Sequence, residues 1–314
     1  MARVLVTGCG GFVGRVLAAR LVAAGHRVFG AERDVGVALP EGVTPFAGDL
    51  SDPRVVGRVL GASSPDWIVH LAAQSSVRHS FDDPAGTIAA NTLPALHLLD
   101  GLRQVGHGAR ILLVGSADEY GVIAPEDLPV REVHPIRPQS PYALAKSVQA
   151  SYGSLYAVRY GVDVVITRSF NHTGPGQRDS FVLPAFARQL CEIRTGTRTA
   201  VMEVGNLDVW RDFTDVRDVC DAYVALLERG RTGEIYNVCS GQAVSIRDTL
   251  EKLRRITGVD VSVRKDAARM RPVDMPELRG DAGKIREHTG WSPSIPLDDT
   301  LHSLIDYWND HVRA

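Results

Sequence analysis

The sequence predicts an α/β fold with a doubly wound parallel sheet and a smaller C-terminal region. Short apolar segments alternate with helical patterns through the first half of the chain, an order typical of parallel strands that are joined by crossover helices. A glycine-rich turn connects the first of these strands to the first helix. The alternation loosens after Phe170, where loops with prolines become frequent, and this change marks the border of the second region.

The composition is that of an ordinary globular protein, and it gives no sign of a nucleic-acid or membrane surface. The 314 residues are 44% hydrophobic and 23% charged, and 35 basic residues nearly balance 37 acidic ones without a long run of one sign. Because Cys9, Cys191, Cys220 and Cys239 form no CxxC pair, we expect reduced thiols and no structural metal. The chain enters a strand at once, so we expect a cytoplasmic protein.

The glycine turn predicts a binding site for a dinucleotide. Strand Arg3 to Thr7 is followed directly by GCGGFVG and then by the helical run Arg15 to Ala24. Gly8 permits the tight turn, Gly11 lets a pyrophosphate approach the backbone, and Gly14 lets the helix pack closely on the strand. An ordinary turn rarely needs three glycines at this spacing. This Rossmann-type turn therefore predicts NAD or NADP as the cofactor, in contact with Gly8, Gly11, Phe12, Val13 and Gly14.

The second strand, Arg27 to Ala31, ends in two side chains that favour different cofactors. Glu32 could hold the ribose diol of NAD, whereas Arg33 could hold the 2′-phosphate of NADP. Both side chains could equally belong to a solvated loop. The preference between NAD and NADP therefore stays open.

Further ligand contacts are expected where the next two strands end. After strand Val43 to Ala47, Asp49 could reach the adenine or could form an Asx turn, and Leu50 follows it. After the buried strand Asp66 to Leu71, a polar loop lies where ligands gather in doubly wound sheets. We assign Leu71, Ala72 and Ala73 to the cofactor and Ser75 to the substrate, although an ordinary polar loop would also contain such serines.

The strand Arg110 to Gly115 is expected at the centre of the sheet because its apolar run is continuous. Ser116 then stands at the tip of this strand, where its hydroxyl could hydrogen-bond a substrate oxygen. The preceding helix, Pro84 to Val105, carries Asn91, which could support a lysine of the active site or face solvent. Its predicted apolar stripe consists of Leu93, Leu96, Leu99 and Leu102.

The segment QSPYALAKS places Tyr142 and Lys146 four residues apart at the start of a long helix. At this spacing the phenol and the ammonium lie on one face, and Ser140 with Pro141 suits an N-cap and first turn. A nearby ammonium stabilises a phenolate, so Tyr142 could exchange a proton near neutral pH. An isolated pair of this kind is more often a solvated surface pair, but the dinucleotide turn and Ser116 favour catalysis here.

Residues 1–170 are predicted to form the cofactor-binding domain, and residues 171–314 mainly a substrate-binding region that is interleaved with it. The second region is predicted to contain helices at Phe181 to Thr195, Asp215 to Arg229 and Ser245 to Thr257, and strands at Ala200 to Gly205, Val209 to Phe213 and Glu234 to Asn237. An amphipathic helix with Leu297, Leu301, Leu304, Ile305 and Trp308 on its apolar side closes the chain.

Several motifs together resemble the extended short-chain dehydrogenases that act on nucleotide sugars. These motifs are GSADEYG, RPQSPYALAKS, SFNHTGPGQ, VGNLDVWRDFTDVRDV, YNVCSGQAVSI and RPVDMPELRGD. They resemble most the branch that contains GDP-mannose 4,6-dehydratases and GDP-4-keto-6-deoxy-mannose reductases. The resemblance extends over nearly the whole chain and implies a nucleotide-diphosphate sugar, GDP-linked, as the substrate.

The resemblance implies a role for each candidate residue. Tyr142 would be the acid or base, Lys146 would lower the pKa of that tyrosine and bind the nicotinamide ribose, and Ser116 would orient the sugar oxygen. The nucleotide diphosphate would be bound by Asn171, Arg211 and Arg271. An arginine suits a diphosphate because it is a planar cation with several donors. Family members pair through the helices Pro84 to Val105 and Tyr142 to Tyr160, so the resemblance also implies a homodimer.

Reductases and dehydratases of this family share the redox step at C4 but differ in the chemistry after it. A 4,6-dehydratase must also remove the C5 proton and expel the C6 hydroxyl, which requires a further acid or base. The acids of dehydratases lie at positions matching Ala117 and Asp118, and the GDP-mannose enzymes keep a glutamate at the second. The shorter Asp118 therefore favours NAD(P)H-dependent reduction of the C4 keto group, giving GDP-D-rhamnose or its C4 epimer. A 4,6-dehydratase, a nucleotide-sugar 4-epimerase and a catalytically silent binding protein are the alternatives.

Overall fold

The structure is a computed structural model that describes residues 1–106, 108–269 and 275–313. Its strands are β1 (Arg3–Thr7), β2 (Arg27–Glu32), β3 (Thr44–Ala47), β4 (Trp67–His70), β5 (Arg110–Ser116), β6 (Val164–Ser169), β7 (Asn171–Thr173), β8 (Val201–Val204), β9 (Trp210–Asp215), β10 (Ile235–Val238), β11 (Ala243–Ser245), β12 (Ser262–Lys265) and β13 (Glu277–Leu278). Its α-helices are α1 (Phe12–Ala23), α2 (Pro53–Ser63), α3 (Val77–Asp82), α4 (Pro84–Val105), α5 (Pro141–Tyr160), α6 (Val182–Arg194), α7 (Val216–Arg229), α8 (Ile246–Thr257), α9 (Gly283–Thr289) and α10 (Leu297–Arg313).

Seven strands form the central sheet, in the order β10-β6-β5-β4-β1-β2-β3. Every neighbouring pair in it is parallel. The order reverses between β1 and β4, so the loops after these two strands leave the sheet in opposite directions and open a crevice at its carboxyl edge. This arrangement confirms the predicted doubly wound α/β fold.

Helices cover both faces of the sheet, which explains why its strands are continuously apolar rather than alternating. On one face, α2, α4 and α5 pack on strand residues such as Leu5, Ile68 and Leu113. On the other face, α1 and α7 pack on residues that include Val4 and Val69. Each face of the sheet therefore has its own hydrophobic core.

The remaining elements form a third, smaller core. Strand β9 pairs with β7, β11 and β13, while β8 pairs with β12. Helices α6, α8 and α10 bury Leu190, Leu250 and Leu304 together. Helix α8 begins where the sequence predicts, since the Ser245 hydroxyl accepts a hydrogen bond from the Asp248 N–H at 3.2 Å.

The two predicted regions share elements. Strand β10 comes from beyond residue 170, yet it is the edge strand of the central sheet and places Ile235 opposite Ile166 of β6. Helix α7 also belongs to the core on one face of that sheet. These contacts support an interleaved architecture, while the border at residue 170 stays a prediction.

Helix α4 buries a different stripe from the predicted one. Leu99 and Leu102 lie in the core as expected, but Leu93 is 38% exposed. Residues spaced strictly by three drift around a helix by about 60° per step, since each residue turns it by about 100°. The buried stripe instead passes through Asn91 and Ala95, at the spacing of three and four that one helix face requires.

In the described ranges, none of the helices combines the length and the apolar character that crossing a membrane requires. In the same ranges, His, Cys, Asp and Glu side chains form no group of three that could hold a metal ion.

Gly14 packs closely against the glycine turn. A methyl group at this position would lie 2.2 Å from the Gly8 carbonyl oxygen and 2.7 Å from Cys9 Cα. Both atoms belong to the backbone, so helix α1 must shift. We expect Gly14→Ala to lower the free energy of unfolding by about 1–3 kcal/mol, as overpacking does, when measured by urea denaturation. Gly57→Ala on α2 is the matched control, since nothing lies within 4 Å of its added methyl. A Gly14→Ala protein as stable as the wild type would contradict this packing.

Candidate active site

Helix α5 carries the predicted catalytic pair. Its N-cap is Ser140, whose hydroxyl accepts a hydrogen bond from the Ala143 N–H at 3.1 Å, and Pro141 opens its first turn. Tyr142 and Lys146 therefore project from a helix whose start is determined by local sequence. The helix packs directly on β5 and on the turn after it, and this contact brings the pair to the end of the central strand.

Lys146 is buried, and its ammonium is hydrogen-bonded within the protein. Its ammonium donates hydrogen bonds to the Val114 carbonyl at 2.7 Å and to Gln149 Oε1 at 3.2 Å. Burial lowers the pKa of Lys146 to about 8, and the nearby Glu119 carboxylate opposes this shift. The lysine is therefore a cation at neutral pH, but it loses its proton more readily than an exposed lysine does.

The Tyr142 phenol lies beside Ser116 and Asp118. Burial raises the pKa of Tyr142, the negative charge of Asp118 raises it further, and a hydrogen bond with the Ser116 side chain lowers it. The phenol is therefore protonated at neutral pH, which is the state that a proton donor needs. The nearby charges of Asp118 and Glu119 both raise this pKa, and its lowering by Lys146 stays a prediction.

Glu119, the residue after Asp118, has a structural role. It is fully buried, and it accepts hydrogen bonds from the Ser116 N–H at 2.8 Å and from Arg168 Nε at 3.2 Å. The Ser116 hydroxyl accepts in turn from the Asp118 N–H at 3.2 Å, which completes a capping box at the start of a short 3-10 helix, Ala117–Tyr120. Within the described chain, no hydrogen bond or ion pair ties the Asp118 carboxylate, so it is the acid of this turn that can act chemically.

The glycine turn has the shape that a dinucleotide phosphate requires. Gly8 has a φ of +68°, and a side chain there would meet the Ala72 backbone nitrogen at 2.8 Å. Gly11 is the exposed N-cap of α1, so the free N–H groups of the first helical turn are open to a phosphate. Phe12 and Val13 are half-buried at the start of α1. The turn therefore fits the predicted cofactor.

The two residues predicted to contact the ribose are held differently. Glu32 ends β2, and its carboxylate accepts a hydrogen bond from the Gly10 N–H. Arg33 is exposed, and its guanidinium lies 3.5 Å from the Asp34 carboxylate. Glu32 is therefore bound to the glycine turn, where a ribose diol would lie, and Arg33 follows it in the exposed segment after β2.

Asp49 forms the Asx turn that was one of its two predicted roles. Its carboxylate accepts a hydrogen bond from the Ser51 N–H at 2.8 Å, and this bond lowers the pKa of Asp49. The side chain is exposed beyond the end of β3, whereas Leu50 is buried. Contact of either residue with the adenine stays a prediction.

The segment after β4 is anchored to β1. The Leu71 N–H donates to the Thr7 carbonyl at 3.2 Å, and the Ala72 N–H donates to Thr7 Oγ1 at 3.1 Å. Ala73 comes next and is half-buried. These bonds hold the three residues along the crevice between β1 and β4, where the cofactor is expected.

Asn91 differs from both of its predicted roles. It is fully buried, and its amide bonds both backbone groups of Gln74, accepting from the N–H at 2.7 Å and donating to the carbonyl at 3.0 Å. It therefore fixes the loop that presents Ser75, rather than supporting Lys146 or facing solvent. Ser75 itself is exposed, which suits contact with a ligand.

The residues predicted to bind the nucleotide diphosphate come from the second region. Asn171 is half-buried at the start of β7. Arg211 is buried in β9, and its guanidinium donates to the carbonyls of Trp210 and Met275 at 2.8 and 2.7 Å. Arg271 lies outside the described residues.

Two residues of the site were not predicted from the sequence. Gln149 accepts from the Lys146 ammonium, and its position three residues later on the same helix could have identified it. His70 ends β4, and its Nδ1 lies 2.8 Å from Thr7 Oγ1. Because Thr7 and His70 meet only through the pairing of β1 with β4, no local sequence pattern predicts their contact.

Known proteins are similar to this chain in fold and sequence over nearly their whole length. A GDP-6-deoxy-D-mannose reductase of Pseudomonas aeruginosa is 39% identical over 311 residues, which cover 99% of this chain and 98% of that protein. A GDP-mannose 4,6-dehydratase of Yersinia enterocolitica is 26% identical over 97% of this chain and 93% of its own. The solved structure of RMD from Pseudomonas aeruginosa complexed with NADPH superposes with a TM-score of 0.88 at 37% identity, covering 99% of this chain and all of that one. Residues 5–304 match the family described as GDP-mannose 4,6 dehydratase, and the chain therefore belongs to that family.

Proposed function

We propose that this chain uses NAD(P)H to reduce the C4 keto group of a nucleotide-linked 4-keto-6-deoxy sugar, GDP-4-keto-6-deoxy-D-mannose. The product would be GDP-D-rhamnose or its C4 epimer. The observation that carries this proposal is the end of β5, where a protonated Tyr142 phenol from α5 lies beside Ser116 while Glu119 is tied to Arg168. Reduction of a ketone needs one proton donor, and Tyr142 supplies one.

The chain's own groups would hold the cofactor and then move one proton. The glycine turn and Lys146 would bind NAD(P)H, which supplies the hydride for C4 when it is bound. As negative charge develops on the C4 oxygen, the Tyr142 phenol would donate its proton to that oxygen, and the Ser116 hydroxyl would hydrogen-bond it. The buried Lys146 cation would stabilise the phenolate that remains.

Both forms of the cofactor have a supporting residue. Glu32 suits the ribose diol of NAD, and Arg33 suits the 2′-phosphate of NADP. The ion pair between Arg33 and Asp34 joins two side chains that are each 71% exposed, so leaving it for a phosphate costs little. The structural relative from Pseudomonas aeruginosa was solved with NADPH. NADH and NADPH therefore both belong in the assay.

A dehydratase would demand more from the turn after β5. It would have to remove the C5 proton and assist departure of the C6 hydroxyl. Ala117 carries no acid, and the Glu119 carboxylate is occupied by Arg168 and the Ser116 N–H. Asp118 alone is left, with a side chain one methylene shorter than glutamate. This set favours the reductase.

We propose that the substrate is GDP-linked, because the curated relatives named above act on GDP sugars. Ser75 would contact the sugar from the exposed loop after β4. Asn171 and Arg211 would bind the diphosphate, and the two backbone carbonyls that hold the Arg211 guanidinium would fix its orientation. Arg271 keeps its predicted role as a second cation for this group.

We also propose a homodimer that is joined through α4 and α5. These two helices pack side by side, and α5 exposes an apolar stripe on its outer face. Leu144 is 48% exposed, Leu155 is 52% exposed and Val158 is 87% exposed. Apolar side chains repeated along one exposed helix face are typical of a surface that a partner covers.

Tyr142→Phe tests the proton donor. Because this change removes the phenol and leaves the ring, we expect turnover to fall by about 10²–10⁴-fold, the usual contribution of general acid catalysis. Cofactor affinity, measured by nicotinamide fluorescence, is expected to stay within a few-fold of the wild type. Turnover close to that of the wild type would remove Tyr142 from the mechanism.

The net reaction distinguishes the candidate activities, because only a reductase consumes cofactor in proportion to product. We expect the absorbance of added NADH or NADPH to fall when GDP-4-keto-6-deoxy-D-mannose is supplied, and GDP-mannose alone to stay unconverted. Conversion of GDP-mannose without added cofactor would instead establish a dehydratase, and Asp118→Asn should then abolish it. Inversion at C4 without net oxidation would indicate an epimerase, and no redox change with any sugar nucleotide would indicate a silent binding protein.

Leu155→Lys tests the homodimer. We expect the wild type to be dimeric by light scattering at micromolar concentration, and Leu155→Lys to be monomeric because a charge is costly to bury in an apolar interface. Val133→Lys is the matched control, since Val133 is also exposed, at 89%, but lies outside both helices. A monomeric wild type, or a dimeric Leu155→Lys protein, would contradict the proposed interface.

A further inference from the structure

His70 lies at the carboxyl edge of the sheet, next to the group that holds the catalytic lysine. It is fully buried at the end of β4, opposite Thr7 of β1 and opposite Leu113 of β5. The next residue of β5 is Val114, whose carbonyl accepts the hydrogen bond from Lys146. His70 is therefore one register position away from the carbonyl that holds Lys146, and the positive charge of Lys146 acts on its ring.

The hydrogen bonds around Thr7 assign the ring proton of His70. Thr7 Oγ1 accepts the Ala72 N–H at 3.1 Å and lies 2.8 Å from His70 Nδ1. Because this hydroxyl accepts a hydrogen bond from Ala72, its own O–H can be bonded only if it donates to His70 Nδ1. Nδ1 is then the acceptor, and Nε2 carries the ring hydrogen. Burial lowers the pKa of His70 to about 3, and the ring is therefore neutral at neutral pH, with Nε2–H as a donor.

This donor has no hydrogen-bond partner in the described part of the chain. Lys146 is in a related situation, because an ammonium has three N–H groups and the protein acceptors found for it are Val114 and Gln149. One acceptor between these two buried donors could serve both. A water molecule does so with its two lone pairs, and buried waters typically join polar groups of this kind.

We propose that His70 is a positioning residue for Lys146, and that its Nε2–H holds a buried water molecule that accepts a hydrogen bond from the Lys146 ammonium. This inference rests on the proposed function, in which Lys146 acts as a cation beside Tyr142. The water stabilises the charged form of the lysine, because it accepts from the ammonium. The other charge that acts on Lys146 is that of Glu119, which is itself paired with Arg168.

A titration of Lys146 in the full-length chain tests the proposal without any sugar substrate. Side-chain nitrogen resonances of isotope-labelled lysine would be recorded by NMR from pH 6 to 10, with the Lys146 signal assigned through Lys146→Met. We expect a midpoint near 8 in the wild type, in line with the lowered pKa of this group. His70→Leu removes the water's anchor, and we expect its midpoint to lie about one pH unit lower, the size of one lost hydrogen bond to a charged group.

Two conservative variants separate this role from simple packing. His70→Gln keeps an N–H near the Nε2 position, and we expect its midpoint to match that of the wild type. His70→Asn keeps a polar contact toward Thr7 but nothing at Nε2, and we expect it to behave like His70→Leu. Trp308→Phe on α10 is the matched control, because Trp308 Nε1 is another buried donor without a partner in the described chain but belongs to the third core. Its Lys146 midpoint should not move.

The outcomes also separate this inference from the proposed function. Equal Lys146 midpoints in the wild type, His70→Leu and His70→Asn would overturn the role of His70, whatever their thermal stabilities. A lower midpoint in both variants that His70→Gln restores would support it. Should the wild type reduce no sugar nucleotide while these shifts are observed, the proposed reductase activity would be lost and the positioning role of His70 would stand.

Discussion

The hydrogen bond from the buried Lys146 ammonium to the Val114 carbonyl ties the catalytic end of helix α5 to the end of β5. A buried cation must be bonded, because removing it from water is costly, and the end of β5 offers the acceptor. The helix can come this close because Gly153 faces the sheet, where a methyl group would lie 2.8 Å from Leu113 and 3.0 Å from Ile166. The position of Tyr142 beside Ser116 depends on this close contact between helix and strand.

The two acids in the turn after β5 have different roles: Glu119 stabilises the turn, and Asp118 acts on the catalytic tyrosine. Glu119 is fully buried with Arg168, and breaking such a pair by removing one partner typically costs about 3–5 kcal/mol. The same carboxylate caps the turn through the Ser116 N–H, so it holds the catalytic serine in place. Asp118 is half-buried at the same turn, where its charge acts on the Tyr142 phenol. Sequence position alone does not distinguish these neighbours, but burial does.

Features with local causes could be predicted from the sequence. The glycine turn, the Ser140 cap of α5 and the continuous apolar run of β5 each arise from neighbouring residues, and each forms where it was expected. Features that depend on distant packing could not be predicted in this way. Asn91 bonds the backbone of Gln74 across two elements, and the contact of Thr7 with His70 exists only because β1 pairs with β4.

Burial drives the two catalytic groups toward their uncharged forms from opposite directions. It raises the pKa of the Tyr142 phenol, which keeps the proton available, and it lowers the pKa of Lys146 toward neutrality. A neutral lysine would have no charge with which to stabilise a phenolate, so the site depends on a group that opposes this second effect. Glu119 is one such group, since its carboxylate acts to raise the pKa of Lys146. The acid that caps the turn at Ser116 therefore also helps to keep the lysine charged at the pH where Tyr142 is a proton donor.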